Sequence, residues 1–314
     1  MINKQNLPPA IFLMGPTASG KTALSVELAE TLNAEIISVD SALGYKGMDI
    51  GTAKPTLEER KGIPHHLIDI LDPSESYSTG SFRKDSLQLM QEITSRGKVP
   101  LLVGGTMLYF NALFNGLASL PEASPAIRKK LDEELAANGK AAMHARLKSI
   151  DPESAERIHP NDPQRVQRAL EVYEISGKPI TQFFREAEQN QIPYHKIKLI
   201  VAPEDRKQLH EKIAKRFKMM VEQGLIAEVD ALYQRGDLNE QLPAIRAVGY
   251  RQTWSYLRGE YDLDTMIEKG IIATRQLAKR QFTWLRREED ALMFASYQSN
   301  LSAKVLQCIQ EYGF

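Results

Sequence analysis

Eight residues near the start of the chain, Gly15-Pro16-Thr17-Ala18-Ser19-Gly20-Lys21-Thr22, fit the spacing G-x-x-x-x-G-K-[ST] in full. The flanking sequence gives that spacing its meaning. Ala10 to Met14 is a short apolar run that ends at glycine, as a buried strand would. Lys21 to Leu32 carries Leu24, Leu28 and Leu32 at i, i+4 and i+8, which predicts a helix with one packed face. A strand that turns through a glycine-rich loop into a helix points successive N–H groups at an anion and adds the partial positive charge of the helix N-terminus. Lys21 supplies a full charge, and the Thr22 hydroxyl is placed to join a Mg2+ shell. Such a loop binds phosphate without saying whose.

The rest of the pattern extends the α/β reading. Ile36 to Val39 predicts a second strand, and Val99 to Val103 a later one closed by Gly104-Gly105. Strands separated by helices imply a parallel sheet with crossovers. From about Leu117 the character changes: Pro121, Pro125, Pro152, Pro160 and Pro163 punctuate charged helical stretches, including Ile127 to Leu135 and Gln164 to Ile175. We read residues 117–194 as a helical insertion between two parts of one P-loop NTPase-like core, 1–116 and 195–314. Lys196 to Val201 returns the chain to the sheet, followed by amphipathic helices such as Leu209 to Gly224 and Thr265 to Leu285.

Composition narrows the class. Lys+Arg equals Asp+Glu at 40 each, so total charge predicts no polyanionic partner, although a local basic face would suffice for one. The single cysteine, Cys308, excludes an intramolecular disulfide and a cysteine-only metal cluster. The apolar stretch before the loop is too short for a signal peptide, and no run approaches the ~20 apolar residues of a membrane span, so the cytoplasm is expected. His65, His66 and His159 lack the spacing and partners of a zinc site and are expected to make structural hydrogen bonds.

Asp40 follows the second strand at the sheet edge that also carries the phosphate loop, so it should face bound phosphate. A carboxylate there can hold magnesium, act as a base or cap a helix. Where an NTPase would usually carry a magnesium-binding Asp, Leu101-Leu102-Val103 runs into Gly104-Gly105-Thr106.

Taken in order, the motifs resemble one family. After the phosphate loop come Asp40-Ser41-Ala42-Leu43, Gly47 to Pro55, Pro64 to Asp69 and Gly104 to Tyr109. Then follow Ile158 to Asp162, Arg168 to Glu171, Ala247 to Gln252 and Thr274 to Gln281. The series is similar to that of the bacterial tRNA dimethylallyltransferases from residue 10 to about 287. The main departure is Gly44-Tyr45-Lys46, where relatives more often have a bulkier residue and then Tyr-Arg.

The resemblance implies transfer of a dimethylallyl group from its diphosphate to the exocyclic amine of adenosine at tRNA position 37. The phosphate loop, residues 15–22 with Mg2+ at Thr22, would then hold the leaving diphosphate, with Arg216 reaching it as well. Asp40 would be the general base and Thr106 would lie near the substrate. The resemblance also implies tRNA contacts at Asp40, Ser41, Ala42, Leu43, Thr106 and Arg128. Further tRNA contacts are implied at Gln164, Arg165, Val166, Gln167 and Arg168, and at Arg246, Ala247, Val248, Gly249, Tyr250 and Arg251. The target base must leave the anticodon stack to reach a buried diphosphate. Between Ala273 and Arg287 the cations Arg275, Lys279, Arg280, Arg286 and Arg287 occur with no acid, and Arg275 and Lys279 share a helix face. Arg275, Lys279 and Arg280 are accordingly read as part of the RNA face. Partners would be the anticodon stem-loop and dimethylallyl diphosphate, with no membrane and a monomeric enzyme. A small-molecule P-loop kinase shares the phosphate loop but leaves the insertion and the basic helix unexplained. An RNA-binding module makes no use of Lys21, Thr22 or Asp40.

Overall fold

A computed structural model describes residues 7–118, 120–187 and 192–312. The parts of the expected domain spans at 1–6, 119, 188–191 and 313–314 lie outside that set. The elements run β1 (Pro9–Met14), α1 (Lys21–Thr31), β2 (Ala34–Val39), β3 (His65–His66), α2 (Thr79–Ser95), β4 (Val99–Gly104) and α3 (Met107–Asn115). Four helices follow: α4 (Pro125–Ile150), α5 (Pro152–Arg157), α6 (Pro163–Ser176) and α7 (Ile180–Ala187). The chain continues through β5 (His195–Ala202), α8 (Arg206–Glu222), α9 (Leu225–Tyr233), α10 (Tyr250–Leu257), α11 (Leu263–Leu285), β6 (Leu292–Ala295) and α12 (Leu301–Glu311). It divides into two compact units, one of residues 1–110 and 193–314 and one of residues 111–192.

The first unit is built on a six-stranded sheet of order β3-β2-β4-β1-β5-β6, with every pairing parallel. β1 sits between β4 and β5, and Ala10 to Met14 have no solvent exposure. A strand flanked and covered in this way reads as a continuous apolar run rather than an alternating one. Its side chains still divide between the faces. Ile11 and Leu13 pack with Leu24 and Leu28 of α1 and Val305 and Ile309 of α12, while Phe12 meets Phe110 edge-on at 6.5 Å between ring centroids. Sequence patterning finds β1, β2, β4 and β5; it does not find β3 and β6, edge strands of two and four residues.

Close backbone approach fixes the carboxyl ends of the strands. A Cβ on Gly15 would lie 2.2 Å from the Val201 carbonyl oxygen, and one on Gly104 would lie 2.0 Å from that of Val39. A second apolar cluster joins the loop after β2 to the helices that follow β5. Tyr45 and Met48 pack there against Phe217, Leu225, Val229, Tyr250 and Trp254. At Gly44, where relatives more often carry a bulkier side chain, a Cβ would meet nothing closer than 3.6 Å.

In the second unit Pro125, Pro152 and Pro163 begin helices, while Pro121 and Pro160 lie in connections between them. Ser124, Asp151 and Asp162 each accept a hydrogen bond from a backbone N–H three residues on, and each is followed by proline at the first helical position. Leu131, Met143, Leu147, Val166, Leu170 and Val172 form its apolar core. Among the described residues no helix is long and apolar enough to cross a membrane.

Glu35, on β2, is only 4% exposed. It accepts from His66 Nε2 at 2.8 Å and Arg96 at 2.7 Å, and pairs with Lys98 at 3.0 Å. Burial alone would raise its pKa; the hydrogen bonds from Arg96, His66 and Lys98 outweigh that and hold the carboxyl at about 2. The folded value lies below the unfolded one, so this stabilisation is complete above the unfolded glutamate pKa of ~4.3 and is lost as pH falls toward 2. Glu35→Gln should cost about 2 kcal/mol at neutral pH in urea titrations. The deficit should shrink when the titration is repeated near pH 3.

Candidate functional site

The connections out of β1 and β4 run to opposite sides of the sheet: β1 leads to β2, and β4 leads through the second unit to β5. Adjacent strands whose connections diverge leave a crevice beyond their carboxyl ends. A cleft of about 450 Å³ opens there. Its floor is the phosphate loop, with Thr17 to Thr22 all lining it. Asp40, Ala42 and Leu43 enter from the end of β2, and Gly104 and Gly105 from the end of β4. Lys212 and Arg216 of α8, Ala247 and Val248, and Thr274, Leu277 and Gln281 of α11 complete the walls.

Ala18 (φ 62°) and Gly20 (φ 86°) bend the loop through left-handed conformations before α1 begins at Lys21. Lys21 Nζ donates to the Pro16 carbonyl at 2.7 Å and the Ser19 hydroxyl at 3.3 Å, so the ammonium lies inside the curl. Burial lowers its pKa, Arg216 adds to the fall, Asp40 opposes it, and the result is about 7. Arg216 is itself lowered by burial and supported by the charge of Asp40. Among the described residues Arg216 has no ion-pair partner within 4 Å. Two cations thus face one site with a single nearby carboxylate, an arrangement that an anion completes.

Asp40 caps no helix. Its carboxylate accepts from the Ala42 N–H at 2.8 Å, which turns the chain back across the cleft. Thr106 is tied to the same turn, for its hydroxyl accepts from the Ser41 N–H at 3.0 Å and its own N–H donates to Val39 at 3.1 Å. The acid at the end of β2 and the threonine after β4 are therefore held together beside the phosphate loop.

Three groups to which the motifs assign no role shape the site, and one of them, Gln281, ends the Thr274–Gln281 run. Gln281, 8% exposed, accepts from the Thr17 N–H and donates to the Gly105 carbonyl, both at 2.9 Å. Glu228 accepts from the successive N–H groups of Asp49, Ile50 and Gly51 at 2.9, 2.7 and 3.0 Å, and from the Tyr250 hydroxyl. It thereby fixes the loop whose Gly51, Thr52 and Ala53 line the cleft. Tyr297 donates to the Ala18 carbonyl at 2.5 Å while the Lys212 ammonium lies 4.0 Å from its ring centroid. A glutamine or glutamate in a helix carries no sequence signal for such long-range contacts.

The residues expected at an RNA face divide into groups. Arg246 and Arg251 are exposed, and Ala247 and Val248 line the cleft. Tyr250, by contrast, is fully buried on Glu228, and Val166 lies in the apolar core of the second unit, so neither side chain is open to a ligand. Gly249 takes φ 94° and opens α10. Lys279 and Arg280 are exposed; Arg275 is partly buried, and its Nε lacks a hydrogen-bond partner among the described residues. In the second unit Gln164 and Arg165 are exposed, and Gln167 donates to Asp132. Arg128 and Arg168 both pair with Glu171, which has no exposure and also accepts from the Ser124 N–H. Ser41 is exposed next to Asp40. The histidines make structural bonds: His65 to the Ile63 carbonyl, His66 to Glu35, and His159 accepting from the Asn161 N–H.

Fold and site together define a P-loop-type α/β protein with a cleft lined by the phosphate loop, Lys21 and Arg216, and a helical unit inserted after β4. A model of the IPP transferase family matches residues 43–288, and the chain belongs to that family. It is 56% identical to the tRNA dimethylallyltransferase of Methylococcus capsulatus over 94% of this chain and 95% of that protein. It is 62% identical to that of Thioalkalivibrio sulfidiphilus over 89% and 87%. Among solved structures it resembles the tRNA isopentenylpyrophosphate transferase from Bacillus halodurans with a TM-score of 0.71 and 38% identity, covering 97% of this chain and 95% of that one. A eukaryotic dimethylallyltransferase solved acting on tRNA gives a TM-score of 0.83 and 28% identity, covering 97% and 79%.

An anion bound beside the Lys21 ammonium would raise its pKa above the free value of about 7, so such binding would take up a proton and weaken as pH rises above 7. Calorimetry of inorganic diphosphate at pH 8 in buffers of different ionisation enthalpy should show this uptake, and Lys21→Met should abolish it.

Proposed function

We propose that this protein transfers a dimethylallyl group from dimethylallyl diphosphate to the N6 amine of adenosine at position 37 of tRNA, as a cytoplasmic monomer. The observation that carries the proposal is the meeting of two half-sites in one cleft. One is a cationic cradle, the phosphate loop with Lys21 and Arg216; the other is Asp40, whose chain neighbours Val39 and Ser41 are both hydrogen-bonded to Thr106. The family membership and the names of its relatives support the same reaction.

In the displacement the allylic C–O bond breaks as a C–N bond forms. The bonding electrons leave with the diphosphate, and the amine proton goes to Asp40. Loop N–H groups, Lys21 and Arg216 stabilise the negative charge that builds on the departing oxygens. The adenine amine is a weak nucleophile because its lone pair is delocalised into the ring. Asp40 accepting a hydrogen bond, then the proton, restores its reactivity. The phosphate loop serves here without nucleotide hydrolysis, consistent with the Gly104-Gly105-Thr106 ending of β4.

The oxygen donors available suit Mg2+. The exposed Thr22 hydroxyl at the loop's end and Asp40 are hard ligands in the same cleft, and among the described residues no cluster of three His, Cys, Asp or Glu forms a protein-only metal site. Thr22 would hold the ion beside the bound diphosphate. Its chemistry is charge neutralisation on the leaving group. In the first unit the cations offered to RNA are Arg246, Arg251, Lys279 and Arg280; in the second unit, taken by itself, Arg165 is exposed and Arg128 and Arg168 share Glu171. Lys and Arg of this kind position the RNA backbone.

Transfer of label from dimethylallyl diphosphate to an anticodon stem-loop with adenosine at position 37 tests the proposal, with guanosine there as control. Label on the adenosine RNA alone is the expected result; ATP consumption without label would return the loop to a kinase. Asp40→Asn should lower kcat by a factor of about 10²–10⁴.

A further inference from the structure

Gln281 occupies an unusual place for a helix side chain. It projects from α11, 264 residues beyond Thr17 in sequence, and it closes two hydrogen bonds with backbone rather than with other side chains. Its carbonyl oxygen takes the Thr17 N–H, at the entry to the phosphate loop. Its amide nitrogen gives to the Gly105 carbonyl, one residue before Thr106. Thr106 in turn holds Ser41, the neighbour of Asp40. One primary amide therefore joins the loop that cradles the leaving group to the loop that carries the acceptor side of the site.

The bridge needs an acceptor and a donor on one side chain, which the amide supplies at every pH. Thr17 requires an acceptor and Gly105 a donor, and the side chain is too buried for water to replace either readily. The fit is also tight: a Cβ on Gly105 would lie 2.3 Å from Gln281 Nε2 and 3.2 Å from the Gly15 carbonyl oxygen. The Thr17 N–H is thereby withdrawn from ligand duty, leaving the N–H groups further along the loop and the Lys21 ammonium to the anion.

We infer that Gln281 is a positioning residue that sets the spacing between the bound diphosphate and the acceptor amine, and so governs the rate of in-line transfer rather than the affinity for either substrate. This rests on the proposed prenyl transfer. Reaction rates are far more sensitive than binding to the last ångström of alignment between reacting groups.

Two variants test it beside the wild type in the stem-loop assay. Gln281→Met keeps the volume and removes both hydrogen bonds; kcat should fall about 10- to 100-fold, with KM for the prenyl diphosphate and the directly measured diphosphate Kd each within about threefold of wild type. Gln281→Glu keeps the acceptor for Thr17 but can donate to Gly105 only when protonated. Its kcat relative to wild type should therefore rise as pH falls from 8 to 6, a recovery that simple damage to the fold would not produce. A kcat that is unchanged in Gln281→Met, or a loss of rate matched by an equal loss of diphosphate affinity, would overturn the inference. Absence of product from the wild type itself would overturn the transfer reaction and this inference with it, whereas product from all three proteins at equal rates counts against Gln281 alone.

Discussion

The central strand leaves its own backbone little room. β1 is buried on both faces and paired on both edges, and where it ends, Gly15 passes so near Val201 that a methyl group would collide with a carbonyl oxygen. The same crowding recurs at Gly104 against Val39. These contacts bring the carboxyl ends of β1, β2, β4 and β5 together, and the loops that leave them have nowhere to converge except above the sheet. The phosphate loop, Asp40 and Thr106 are neighbours because the strands beneath them cannot be moved apart without opening the core.

Charge separates structure from function in this molecule. Glu35 is buried with His66, Arg96 and Lys98, and Glu171 with Arg128 and Arg168, each carboxylate answered by the protein's own cations. Such clusters are complete when the chain has folded. Lys21 and Arg216 stand otherwise, both depressed by burial and sharing one carboxylate. Buried charge without full compensation opposes folding unless a ligand supplies the remainder, and perturbed groups in a cleft are characteristic of working sites.

Much of this could be read from the chain. The phosphate loop needs eight consecutive residues and its flanks, and the buried strands announce themselves as apolar runs bounded by glycine. The edge strands escape notice because two or four half-exposed residues have no periodicity to detect. Val166 and Tyr250 show the reverse difficulty: they lie within basic motifs, QRVQR and RAVGYR, yet their side chains serve the interior. A motif records which segment is constrained without saying which side chain faces outward. Gln281 is the extreme case: it ends the Thr274–Gln281 motif, yet its contact from α11 back to Thr17 depends on the whole topology and cannot be read from the motif.

Glu228 and the phosphate loop are two solutions to one problem in backbone chemistry. In each, successive amides converge and need a negative partner. Between Asp49 and Gly51 that partner is a side chain of the same protein, permanently seated. Between Ala18 and Thr22 the proposed reaction would make it an exchangeable diphosphate. The cleft would then have one wall cast when the chain folds and another finished afresh with every turnover, so any adjustment during the cycle would fall on the phosphate side while the Glu228 wall serves as the fixed jig against which it is set.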